Sequence, residues 1–274
     1  MLSDVYGDRG GAVYNAVADW STILSNVVAG DDTANDQPGF VDLFVYVVNN
    51  DGGLTGAGGK VFLPAGTYRI ESTLIVPPSV ALVFARGAAI HAANNTSQLV
   101  VEGTIEAGAY PIVQFDSTHT QPVLFGDGAA PEVRPEWFGA QPGNIWGPDQ
   151  SGAMGMNPES ILDSTAAFRA AVASLPRTGG TIQLGAGQYK ITEEIVVDKN
   201  SVVFRGTGRQ GGLYSADTHQ FGSMLFFGAD WTLQNQPYTR SLLRFTAVDD
   251  PDTGLISNAW GCGVHDLSIC QYPA

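Results

Sequence analysis

The chain has 274 residues, 44% of them apolar, enough for one large or two small packed domains, and a net charge of −14 from 13 basic and 27 acidic side chains. So acidic a protein has no basic surface to neutralise phosphates, which argues against nucleic acid and anionic membranes as partners. Two cysteines, Cys262 and Cys270, exclude a disulfide scaffold and a cysteine-rich metal site, and the longest apolar run, residues 40–48, is interrupted by Asp42 and too short for membrane insertion.

Taken in chain order, Met1, Leu2, Ser3 and Asp4 lack the basic and apolar regions of a secretion signal, so no classical export route is expected. Tyr6-Gly7 is followed by Asp31-Asp32-Thr33-Ala34, and Asp36 or Gln37 then precedes Pro38 at the start of an apolar segment. Phe40, Phe44, Val47 and Val48 recur at helical spacing there, although the valine content leaves a strand open as an alternative. After Gly58-Gly59 the period becomes two: Val61 and Leu63 on one face, a Pro64-Ala65-Gly66 turn, then Tyr68 and Ile70. Further strands are expected at 73–76, 80–84, 98–101, 112–115 and 123–125.

The same order of parts then returns. Residues 58–70 and 179–191 are identical at seven of thirteen positions, and Phe138-Gly139 precedes Asp163-Ser164-Thr165-Ala166 by the same interval that separates Tyr6-Gly7 from Asp31. Asp163 or Ser164 caps a second predicted helix with Phe168, Ala171, Val172 and Leu175 on one face, ended by Pro176. Strands are expected at 194–197, 202–204, 224–227, 241–245 and 264–269. Short strands with no helices between them suit a solenoid of stacked turns of roughly 20–30 residues. An amphipathic helix ahead of the first strand would cover its open end.

These residues resemble the pectate-lyase-like right-handed parallel β-helix superfamily found in phage tailspikes. The resemblance rests on Asp31-Asp32-Thr33-Ala34 with Leu63-Pro64-Ala65-Gly66-Thr67-Tyr68, and again on Pro135-Glu136-Trp137-Phe138-Gly139-Ala140, Asp163-Ser164-Thr165-Ala166 and Leu184-Gly185-Ala186-Gly187-Gln188-Tyr189. Two features depart from the pattern: Gly185 stands where the family usually has proline, and a long loop spans residues 141–161. The resemblance implies an all-β parallel β-helix with short N-terminal capping helices and a duplicated start. Residues 1–134 would form a small capped unit on the virion-proximal side, and 135–274 the helix and first turns of a larger, truncated one. Residues 101–108 look like the bridge between two such units.

The implied function is a phage tail spike or fibre component, located in the virion tail, homotrimeric, contacting other tail proteins and host surface polysaccharide. A polysaccharide lyase or glycoside hydrolase, and a bacterial extracellular β-helix adhesin, are the alternatives. Hydrolysis needs two carboxylates about 5–9.5 Å apart, and lyase chemistry a base beside a cation, both supplied from neighbouring turns. The catalytic candidates are Asp250 and Asp252, in the turn-like Asp249-Asp250-Pro251-Asp252, and Asp266 beside His265. Glu193 and Glu194, adjacent in a strand, point to opposite faces and read as solvated charges. Asp31, Asp32, Asp163 and Ser164 read as caps and turns, and His91, His119, His219 and His265 have no metal spacing, so neither a metal nor a cofactor is expected. Glycan binding falls to aromatic residues in polar loops: Trp146, Trp231, Tyr238 and Trp260. Trp137 reads as packing.

Overall fold

A computed structural model describes residues 13–18, 24–50, 58–116, 118–130, 132–143, 146–148, 154–156, 161–208, 222–227, 241–246, 248–249, 256–257 and 260–271. The protein consists mostly of strands in parallel sheets with few helices, and it divides into two compact units, Met1–Ala130 and Pro131–Ala274.

The first unit runs β1 (Val13–Asn15), α1 (Gln37–Asn50), β2 (Gly59–Leu63), β3 (Gly66–Ile70), β4 (Leu74–Val76), β5 (Val80–Phe84), β6 (Ala88–Ala92), β7 (Leu99–Val101), β8 (Thr104–Glu106), β9 (Val113–Phe115) and β10 (Val123–Phe125). These strands form three sheets, ordered β1-β2-β5-β8, β3-β6-β9 and β4-β7-β10, with every pairing parallel. Successive strands from β2 to β10 fall on the three sheets in turn, so that inward apolar residues stack on one another. Val61 lies beside Leu82, Tyr68 beside Ile90 and then Val113, and Leu74 beside Leu99 and then Val123, all buried. Each fully buried aliphatic side chain contributes roughly 1.5–3 kcal/mol relative to exposure.

Residues 40–48 lie in a helix, and the strand alternative fails because one face of the segment is buried at helical spacing. Phe40, Leu43, Phe44 and Val47 are buried, while Val41 and Val45 are exposed. The helix packs on β4 and β5. The open backbone edge is covered by other segments: β1 pairs with β2, and residues 30–36 run along β3, where Asp32 N donates to Thr67 O and Asp36 N to Arg69 O. Thr104–Glu106 is a strand of this unit, paired with β5, so residues 101–108 are part of the first unit instead of a bridge beyond it.

The second unit contains β11 (Glu132–Val133), a 3-10 turn (Pro135–Phe138), β12 (Trp146–Pro148), β13 (Met154–Met156), α2 (Thr165–Ser174), β14 (Gly180–Gln183), β15 (Gly187–Ile191), β16 (Ile195–Val197), β17 (Val202–Arg205), β18 (Ser223–Phe227), β19 (Leu243–Phe245), β20 (Val248–Asp249), β21 (Ile256–Ser257), β22 (Gly263–His265) and β23 (Leu267–Gln271). Its parallel sheets are β11-β14-β17-β22, β15-β18-β23 and β16-β19, with antiparallel hairpins β12-β13 and β20-β21. The strand expected at 264–269 is two strands, broken at Asp266, whose φ is +54°.

The duplication is visible in space. Phe40 packs edge-on against Tyr68 at 5.7 Å, and Phe168 against Tyr189 at 5.5 Å. Gly58 and Gly179, at φ +73° and +90°, end the two helix-to-strand connections, and a Cβ on either would lie within 2 Å of a backbone oxygen, that of Ser79 or of Asn200. Tyr6-Gly7 lies outside the described residues.

Candidate functional site

Asp36 and Ser164 occupy equivalent places, each with its carbonyl accepting the first helical bond, from Phe40 N and Phe168 N. Neither side chain caps its helix. The buried Asp36 carboxylate turns away from α1 and accepts from Ala29 N at 2.6 Å, Gly30 N at 3.2 Å and Arg69 N at 3.0 Å. Burial raises its pKa, against the pull of those amides. In the second unit the first-turn bonds come from Asp163 instead, which accepts from Thr165 N at 2.9 Å and Thr165 Oγ1 at 2.6 Å. Its other oxygen accepts from Thr192 Oγ1 at 2.7 Å.

Gly185 has a physical reason. Its N–H donates to Glu136 Oε1 at 2.8 Å, a bond proline cannot make, and the same oxygen accepts from Tyr189 Oη at 2.5 Å. Glu136 is buried, as are Trp137 and Phe138, so the 3-10 turn is fastened to the strand turn below it. Lys199 seals the other end of α2 by donating to Val172 O at 3.0 Å, to Ala173 O at 2.8 Å and to Leu175 O, and burial lowers its amine pKa to about 8.

The expected site residues are distributed as follows. Asp250, Asp252, Trp231, Tyr238 and His219 lie outside the described residues. Trp146 lies on β12, opposite Met156. Asp266 is an exposed turn residue whose carbonyl accepts from Gly208 N at 2.9 Å and approaches Gly206 so closely that a Cβ there would lie 2.2 Å away. His119 is buried, with Nε2 against Ser97 O at 2.5 Å. Glu193 and Glu194 are ion-paired, the first with Arg169 at 2.7 Å and the second with Arg244 at 2.6 Å. Ser241 Oγ, which donates to Glu194 at 2.7 Å, is the leading cause of that carboxyl's lowered pKa. Cys262 is a half-buried free thiol.

Trp260 is 68% exposed, yet its backbone is fixed on both sides: Trp260 N donates to Asn200 Oδ1 at 3.0 Å and Ser201 N to Trp260 O at 2.7 Å. Ser201 and Gly261 take positive φ values of +53° and +70°, which fold the two turns against each other. The indole of Trp260 is thus exposed on a turn whose backbone is hydrogen-bonded on both sides.

A second polar group was missed in the sequence. On the outward face of β3, β6 and β9, Arg69 lies opposite His91 and His91 opposite Gln114. Arg69 Nε donates to Glu71 at 3.0 Å, and His91 Nδ1 meets Asp32 Oδ1 at 2.5 Å, where Asp32 has a φ of +61°. The signal was present in the spacing: Arg69 and His91 are 22 residues apart, the interval that separates paired residues of β3 and β6. Among the described residues no group of three or more His, Cys, Asp or Glu side chains is placed to hold a metal ion. No described helix is long and apolar enough to cross a membrane.

In comparisons with known proteins, no family model, no curated protein and no solved structure matches the chain.

Proposed function

We propose that this chain forms a right-handed parallel β-helix of the pectate-lyase-like superfamily, serving as a polysaccharide-engaging component of a phage tail spike or fibre. The observation that carries the binding role is Trp260, an exposed indole on a turn fixed by two backbone hydrogen bonds. Sugar rings offer an apolar face to such a platform and hydroxyls to the polar groups around it. The β-helix reading is supported by parallel pairing between strands of successive circuits on three sheets, and the right hand by the strong chirality of parallel crossovers. The net charge of −14 suits a partner that is not a polyanion.

In the proposed assembly the chain is a homotrimer that contacts other tail proteins, with host surface polysaccharide as its ligand. Affinity electrophoresis through gels containing polysaccharide tests the binding role: retardation of the intact chain that Trp260→Ala abolishes is the expected result. Equal mobility with and without polysaccharide would reject it. Multi-angle light scattering tests the assembly, with a trimer mass expected and a stable monomer contradicting it.

A further inference from the structure

We infer that the outward row Arg69, His91 and Gln114, with Asp32 beside it, is a second ligand site that takes an uncharged, hydroxyl-rich chain. The inference rests on the polysaccharide reading above and extends it to a different part of the molecule. The row carries no apolar side chain, so its ligand must be held by hydrogen bonds. Arg69 is matched by Glu71 at 3.0 Å and His91 Nδ1 is engaged by Asp32 Oδ1 at 2.5 Å, so the row presents no surplus positive charge to a polyanion.

Unused hydrogen-bonding capacity remains on every member. Among the described residues the two terminal nitrogens of Arg69, Nε2 of His91, Oδ2 of Asp32 and the Gln114 amide have no bonding partner, and these groups mix donors and acceptors. Hydroxyls, which both donate and accept, complement that mixture. Three parallel strands set the row's side chains roughly 4.8 Å apart, an extended track suited to successive rings of a linear polymer.

Asp32 strengthens the case. It holds a left-handed backbone, φ +61°, that is unfavourable for most non-glycine residues and that glycine would adopt freely. Its N–H donates to Thr67 O at 2.9 Å, which fixes the carboxylate against His91. Keeping Nδ1 engaged leaves Nε2 as the imidazole atom available to a ligand.

The test titrates the full chain with dextran, mannan, galactan and polygalacturonate and repeats each titration with Asp32→Gly, His91→Gln, Arg69→Gln and Trp260→Ala. Asp32→Gly retains the backbone conformation and removes only the carboxylate, and melting curves check that each variant is folded. The site predicts saturable binding of a neutral polysaccharide, at least tenfold weaker in folded Asp32→Gly and His91→Gln, with polygalacturonate bound more weakly. Wild-type affinity in those two variants, combined with loss in Trp260→Ala, would overturn this site and leave the polysaccharide reading standing. Tighter binding of polygalacturonate would overturn the ligand class, and no binding by the wild-type chain would overturn both.

Discussion

Tyr189 donates its hydroxyl to Glu136 Oε1 at 2.5 Å, whereas its duplicate Tyr68 donates to Pro64 O at 2.7 Å. The Tyr189 hydroxyl also reaches Gly185 O, the counterpart of Pro64 O, at 3.3 Å, so the second copy adds a carboxylate acceptor to a longer version of the shared carbonyl contact. A bond to a carboxylate contributes more than one to a neutral carbonyl, and removing it strips a buried carboxylate of a donor. Tyr189→Phe is expected to cost about 2–3 kcal/mol in urea unfolding and Tyr68→Phe about 1 kcal/mol. Equal costs would contradict this difference.

Gly185 and Glu136 form one unit with that tyrosine. Gly185→Pro removes the N–H that Glu136 accepts, and a Cβ there would lie 2.7 Å from Glu136 Oε1. The substitution is expected to destabilise the wild-type chain by more than about 2 kcal/mol and to cost clearly less in a Glu136→Leu background. A double-mutant cycle measures the coupling, and additive effects would refute it.

How much of this was legible in sequence varies from residue to residue. The two helix-to-strand connections were, because Gly58 and Gly179 are placed where a Cβ collides with backbone. The alternation of Val61, Leu63, Tyr68 and Ile70 was, because each pair faces the core. Strand β6 was not: three of its five residues are alanine, a weak strand former, and it pairs by register instead of by propensity. His91 lies on that strand and so read as a scattered histidine. Asp36 stands at the expected cap position, but its carboxylate faces the strand edge, because the amides of Ala29, Gly30 and Arg69 are unpaired without it.

Gly58→Ala and Gly179→Ala are each expected to cost more than about 2 kcal/mol in chemical denaturation, through both the backbone conformation and the collision with Ser79 O or Asn200 O. Wild-type stability in either would contradict the close approach.

Lys199 gives a pH signature. Its folded pKa is lowered to about 8, below an unfolded value of about 10.4. Between these values the unfolded chain holds more protons, so this residue makes stability rise with pH across that window. The stability of wild type minus that of Lys199→Met is expected to increase from pH 7.5 to 9.5, as read by denaturant midpoints at each pH. A flat or falling difference would contradict the desolvated amine.

The most direct test of polysaccharide engagement is tryptophan fluorescence during titration of the intact chain with neutral polysaccharide. Trp260 is 68% exposed, so stacking on a sugar ring would move its indole from water to an apolar contact. The predicted result is a saturable emission change that is absent from Trp260→Ala, with the variant's unfolding midpoint unchanged. No change in the wild type with any polysaccharide, or the same change in the variant, would contradict the account.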